Sequence, residues 1–137
     1  VVPGMIRRYY EMKQAGAEEI VMWGSGAPTR DFVYVEDVAH LFPYFIDHYN
    51  SSEPVNISTG TSTSIGQLAD TIGRLVGFSG RIVWDTSKPD GQMIKIFDVQ
   101  RLNELGLSCP TALEDGLKKT IDWFVNAMET HSHDIRL

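Results

Sequence analysis

The sequence has a single cysteine, Cys109, so no disulfide can close within the chain and a reducing, cytoplasmic setting is the natural inference. No apolar run is long enough to cross a bilayer. The opening Val-Val-Pro-Gly-Met-Ile-Arg-Arg has neither an initiator methionine nor the charged-then-apolar order of a signal peptide. It reads like an internal stretch of a longer protein. Positive charge is scarce: 12 Lys and Arg stand against 18 Asp and Glu, a net charge of -6, which disfavours a sequence-independent nucleic-acid binder. Metal ligands are few and scattered. His40 and His48 are too far apart to share one ion on adjacent helical turns, and His131 and His133 fall in a polar tail. Cys109 precedes Pro110 with no histidine nearby to make it a nucleophile. There is no repeat and no low-complexity linker.

The remaining composition, 42% hydrophobic and 22% charged, is that of one domain with a core of its own. Pro3 suits a helix start, and Met5, Ile6, Tyr9, Tyr10 and Lys13 continue at helical spacing. Ile20 to Trp23 predicts a strand ending in the turn Gly24-Ser25-Gly26-Ala27-Pro28, and Arg30 to Val35 a second strand. Glu36-Asp37 opens a helix with stripe Val38, Leu41, Phe42, Phe45, Ile46 and Tyr49, and Pro43 within it predicts a kink or a late start. Val55 to Ser58 predicts a short strand. Ser64 to Gln67 forms a capping box ahead of a helix along Ile65, Leu68, Ala69, Ile72, Leu75 and Val76. Arg81 to Trp84 is a further strand, Asp85 to Gln92 a loop, and Met93 to Phe97 extended again. Thr111 to Glu114 forms a second capping box before a helix along Leu113, Leu117, Ile121, Phe124, Val125 and Met128. Trp84 and Trp123 read as core residues.

This pattern predicts an α/β lobe over residues 1–129 with a flexible tail over 130–137. Several strands stand alone between helices, so they need partners, and another half of the protein would supply them. Most lysines and arginines are solvated surface groups, but three break that rule. Arg30 sits at a strand mouth after the Gly-Ser-Gly-Ala-Pro turn, Lys95 lies between Ile94 and Ile96 after a Pro-Asp-Gly loop, and Arg8 lies on the first helix. Cationic groups converging on one cleft suit a diphosphate, and guanidinium forks match its oxygens. Trp23, beside glycines that leave its face open, suits stacking on a nucleobase and equally suits a core; the residues leave both open.

The stretch Trp23-Gly-Ser-Gly-Ala-Pro-Thr-Arg30-Asp-Phe-Val-Tyr-Val-Glu-Asp37-Val-Ala39 resembles the signature of nucleotide-sugar-modifying extended short-chain dehydrogenases/reductases. Ser87-Lys-Pro-Asp-Gly91 with Lys95, Asp98-Val99-x-Arg101-Leu102, Asn56-Ile57-x-x-Gly60, Leu113-Glu-x-Gly-Leu117 and Trp123-Phe124 agree with that family in order and spacing. Trp23 and Pro28 narrow the resemblance to the members that act on GDP-sugars. It implies a C-terminal, substrate-binding lobe whose extra strands and helices complete a Rossmann sheet. It implies an NADPH-dependent enzyme that epimerises GDP-4-keto-6-deoxy-D-mannose at C3 and C5 and reduces C4, working in the cytoplasm, commonly as a homodimer. On matching positions Arg8 and Arg30 would hold the diphosphate with Lys95 nearby, Trp23 would contact the nucleotide, and Arg81 matches a further substrate-binding position.

The family's cofactor turn and its catalytic Ser/Thr, Tyr-x-x-x-Lys, cysteine and histidine would all lie upstream of Val1, so no catalytic, cofactor-binding or metal-binding residue is assigned here. Tyr9-Tyr-Glu-Met-Lys13 meets the Tyr-x-x-x-Lys pattern only literally, and Gly73, Gly77 and Gly80 follow a helix and precede a strand, the reverse of a phosphate-binding turn. Two alternatives accompany this reading: the substrate domain of a sister enzyme with another base or sugar, and a free-standing binding module.

Overall fold

The computed structural model describes residues 1–130; the expected flexible tail 130–137, apart from Thr130, and with it His131 and His133, lies outside the described residues. The elements run α1 (Val2–Gln14), β1 (Glu19–Trp23), β2 (Thr29–Arg30), α2 (Val35–His48), β3 (Thr63–Ser64), α3 (Ile65–Val76), β4 (Arg81–Asp85), β5 (Ile94–Lys95), α4 (Gln100–Glu104) and α5 (Leu113–Thr130). This is a mixed α/β fold, as the pattern predicts. β1 and β4 pair in parallel, and a second sheet has the order β3-β2-β5, antiparallel on one side and parallel on the other.

Alternation along β1 turns Ile20 and Met22 inward and Glu19, Val21 and Trp23 outward. The inward pair joins Ile6 and Tyr9 of α1, Leu68, Ile72 and Val76 of α3, and Leu117, Ile121 and Phe124 of α5 in one core. α3 is the best specified element. Ser64 and Gln67 close the capping box on each other's backbone, and Gly77 at φ 74° ends the helix in the left-handed region. Gly73 lets α1 approach α3, because a Cβ there would lie 3.0 Å from the Tyr9 ring.

Both literal motif matches serve this packing. Tyr9 is buried, and burial, with Asp70 adding to it, pushes its hydroxyl up to about 12. Lys13 donates from Nζ to the Val76 carbonyl at 2.8 Å, capping the end of α3. The Tyr9 hydroxyl has no hydrogen-bond partner. Tyr9→Phe is therefore expected to leave stability unchanged or raise it by about 1 kcal/mol, since it removes a desolvated donor and keeps the ring. A lower melting temperature by circular dichroism would be the contrary result.

Five predicted features differ. Of the expected strand 30–35 only Arg30 is paired, with Thr29 before it, because its neighbours β3 and β5 are themselves two residues long. α2 starts at Val35 and runs through Pro43 without a late start; of its apolar stripe Leu41 is buried and Val38, Phe45 and Tyr49 are half-buried, while Phe42 and Ile46, with Val35 ahead of them, are 55, 79 and 71% exposed. Residues 55–58 form no strand, as nothing pairs with them among the described residues. Thr111 does not cap α5, because its N–H and hydroxyl are both taken by the buried Asp37 at 2.8 and 2.7 Å, while Glu114 turns to Arg74. Trp123, 58% exposed, is not a core residue; it lies off the Leu117–Ile121–Phe124 face. Trp84 is half-buried against the core.

Candidate functional site

Segments 23–30 and 85–95 run side by side. They are paired at one end by Trp23 with Asp85 and at the other by Arg30 with Lys95. Between these points the Gly24 N–H donates to the Asp85 carbonyl at 3.0 Å and the Thr29 N–H to the Met93 carbonyl at 2.8 Å. At mid-span the Asp90 carboxylate accepts the Ser25 N–H at 2.6 Å and its hydroxyl at 2.8 Å. Those bonds, the backbone one first, hold the Asp90 carboxyl below the usual carboxylate range. A Cβ on Gly24 would stand 2.4 Å from an Asp90 oxygen, so the clamp requires glycine there. The turn is held from behind as well: the Gly66 N–H, in the first turn of α3, donates to the Gly26 carbonyl at 2.8 Å.

Trp23 ends β1 on its outward face and is 70% exposed, which settles the open choice against a core role. The Lys88 ammonium lies 5.8 Å from the centroid of its ring. Arg30 and Lys95 are partners in register on adjacent strands, which places their side chains on one face of the sheet about 5 Å apart at the backbone. Like charges so placed repel. Arg30 is half-buried and donates to its own neighbour, the Thr29 carbonyl, at 2.7 Å. Among the described residues five other cations are ion-paired, namely Arg7, Arg74, Arg81, Arg101 and Lys119, whereas no carboxylate pairs with Arg8, Arg30, Lys88 or Lys95.

Arg8 is exposed on α1, turned away from the buried Ile6–Tyr9 face, and α1 packs on α3 and β1, not on the sheet that carries Arg30. Arg81 is separated further. It begins β4, four residues from the Asp85 partner of Trp23, or about 13 Å along the strands, and its guanidinium is held by Glu19 at 2.8 Å. Ligands gather at the carboxyl ends of parallel strands, and Arg81 stands at the amino ends. The structure thus brings Arg30 and Lys95 together, leaves Trp23 at the opposite end of the paired segments, and brings neither Arg8 nor Arg81 to them.

Three acidic residues that sequence reasoning left without a role here turn out to build the scaffold. Asp90 is the clamp just described. Asp31 accepts from the Thr59 hydroxyl at 2.7 Å and the Gly60 N–H at 2.9 Å; burial raises its carboxyl, but bonds from Thr59, Ser58 and Gly60 outweigh it and the net shift is downward. Asp37 ties α2 to Thr111. The Asp of the Pro-Asp-Gly loop was the one visible signal. Burial, then Asp37 and Asp31, push the Cys109 thiol up, which suits an unreactive side chain. No group of three His, Cys, Asp or Glu among the described residues could hold a metal ion, and no helix among them is long and apolar enough to cross a membrane.

A glycine turn closes a parallel strand pair of this α/β lobe, with cations beyond it that no carboxylate among the described residues pairs. Residues 1–58 match the pattern of the NAD dependent epimerase/dehydratase family, and the chain is similar to GDP-L-fucose synthases. It is 41% identical over 125 residues to the probable GDP-L-fucose synthase 1 of Oryza sativa subsp. japonica, covering 91% of this chain and 38% of that one. It is 44% identical over 126 residues to the GDP-L-fucose synthase of Sinorhizobium fredii, covering 92% and 40%. The fold superposes on the GDP-L-fucose synthetase of Naegleria fowleri bound to NADP with a TM-score of 0.88 at 35% identity, covering 95% of this chain and 41% of that one. The chain spans about two fifths of the length of these relatives.

Proposed function

We propose that this chain is the C-terminal, nucleotide-sugar-binding part of an NADPH-dependent GDP-4-keto-6-deoxy-D-mannose 3,5-epimerase/4-reductase, and that it is inactive without the rest of that protein. The observation that carries the reading is the in-register pair Arg30 and Lys95, two cations that no carboxylate among the described residues pairs. A diphosphate bridging them converts a repulsion into charge-assisted hydrogen bonds. Trp23 then offers its exposed indole to the base, while Arg8 is supported only by the resemblance, since α1 does not pack on the sheet that carries Arg30. Arg81 remains the weakest assignment, because Glu19 already holds it.

NADPH supplies the hydride when bound, and in this reading its site lies in an N-terminal Rossmann half. Gly73 and Gly77 here serve helix packing and capping, Gly80 lets the chain pass close to the Glu18 backbone, and Tyr9 and Lys13 are committed to the core and to the end of α3. The exposed Val35, Phe42 and Ile46 of α2 suit packing against that half. The intact protein would be a cytoplasmic homodimer.

Calorimetry with GDP, UDP and dTDP, beside an NADPH-oxidation assay with the keto-sugar, tests the proposal. The isolated chain should bind GDP and consume no NADPH. Measurable turnover, or no binding of any nucleoside diphosphate, would overturn it.

A further inference from the structure

Lys95 stands on a strand with little to hold it. Among the described residues β5 is two residues long and forms the edge of its sheet, and its surroundings Met93, Ile94, Ile96 and Phe97 are exposed. The one strand it pairs with carries Arg30 on the same face, so like charges push β5 off β2. The 85–95 segment also has slack. It takes ten steps between the Asp85 and Lys95 pairings, where its neighbour takes seven from Trp23 to Arg30. One side-chain clamp grips it at mid-span: one Asp90 oxygen accepts the Ser25 N–H at 2.6 Å and the other accepts the Ser25 hydroxyl at 2.8 Å. The Ser25 hydroxyl in turn accepts the Ala27 N–H at 3.1 Å, and the Gly26 carbonyl accepts from the first turn of α3. The clamp therefore fastens a slack segment to a turn that is itself tied to a core helix. Beyond Lys95 the next such tie runs from Asn56 Nδ2 to the Asp98 carbonyl, at 2.9 Å.

Resting on the nucleotide-site reading above, we propose that Asp90 is a positioning residue for the diphosphate: by clamping Ser25 it holds Lys95 beside Arg30 before the ligand arrives. Both of its oxygens are taken by Ser25, so it acts on the ligand through Lys95 and not by contact. Its own charge works against this role. On charge alone, removing a carboxylate near a diphosphate would tighten binding. Losing the clamp has the opposite effect, because the ligand must then order the 85–95 segment as it binds. Salt and water screen the repulsion at this exposed position, whereas the ordering falls on the binding step in full, so the clamp is the larger effect.

Calorimetric titration with GDP tests this on the chain, on Asp90→Ala, Asp90→Asn and Lys95→Met, and on the double variant Asp90→Ala/Lys95→Met. Asparagine removes the charge and keeps the clamp, since its Oδ1 accepts the Ser25 N–H and its Nδ2 donates to the Ser25 hydroxyl. Asp90→Ala should weaken GDP binding about tenfold, and Asp90→Asn should bind as tightly as the unsubstituted chain or more tightly. In the Lys95→Met background, Asp90→Ala should change the affinity by less than about twofold, because the group it positions is gone. Tighter binding by Asp90→Ala would make its charge the dominant effect, and an equal loss with and without Lys95 would make the clamp a general support of the fold. Either overturns the inference and leaves the nucleotide site standing. Should Asp90→Ala unfold below the titration temperature by circular dichroism, Ser25→Ala takes its place in the same cycle, since it loses the hydroxyl bond and keeps the N–H one. If the unsubstituted chain binds no GDP, the reading beneath the inference fails, and the inference with it.

Discussion

Arg30→Ala is expected to weaken GDP binding by about 1.5–3 kcal/mol, roughly ten- to a hundredfold, the scale of hydrogen bonds to a charged group. Two features raise this position above the other arginines. It is half-buried, so an anion bound to it is partly shielded from water, and it shares its sheet face with Lys95, whose repulsion it loses when a diphosphate arrives. Arg81→Ala is the internal control. Its guanidinium, with a side chain 78% exposed and paired with Glu19, should contribute little. Calorimetry on both variants reads the difference directly. Equal losses would contradict the separation of Arg81 from the site, and an unchanged affinity in Arg30→Ala would remove the carrying observation.

Gly26→Ala is expected to destabilise the chain by about 2–5 kcal/mol and to disorganise the nucleotide site together with the fold. Its backbone lies at φ 75°, where an L side chain costs about 1–2 kcal/mol. Its Cβ would also stand 2.7 Å from Cζ2 and 2.9 Å from Cη2 of Trp84, an overlap of the kind that costs about 1–3 kcal/mol. Neither side can yield easily, since the Gly26 carbonyl holds the start of α3 and Trp84 lies against the core. Gly91→Ala separates the two costs, because Gly91 sits at φ 72° with nothing within 4 Å of the added carbon. Urea unfolding should place Gly26→Ala well below Gly91→Ala. Equal midpoints would show that Trp84 moves aside freely.

The helices were legible in the chain because their causes are local. The Ser64–Gln67 box and the Gly77 stop act within four residues, and the stripe Leu68, Ala69, Ile72 and Val76 recurs at helical spacing. Trp123 was legible in principle, since its place on the wheel of α5 puts it off the core face. The second strand was overread because Phe32, Val33 and Tyr34 carry strand-like side chains without strand-like neighbours. β-structure needs a partner, and the partner's length is not written in the strand itself. The Thr111 capping box failed for a similar reason: a buried carboxylate 74 residues away claims both of its donors.

Residue types at the site followed the same division. From its own amino acids the chain specifies an acidic α/β lobe with a glycine turn, an arginine after it, and helices with defined ends. Only the folded path decides that Arg30 and Lys95 become neighbours, that Glu19 takes Arg81, and that Asp90 reaches back 65 residues to grip Ser25. Local hydrogen bonds and side-chain periodicity act over one or two turns of chain, so the sequence can state them. Charge pairing across strands depends on distances of a few ångström between segments far apart in the chain, and those distances exist only after the core has closed.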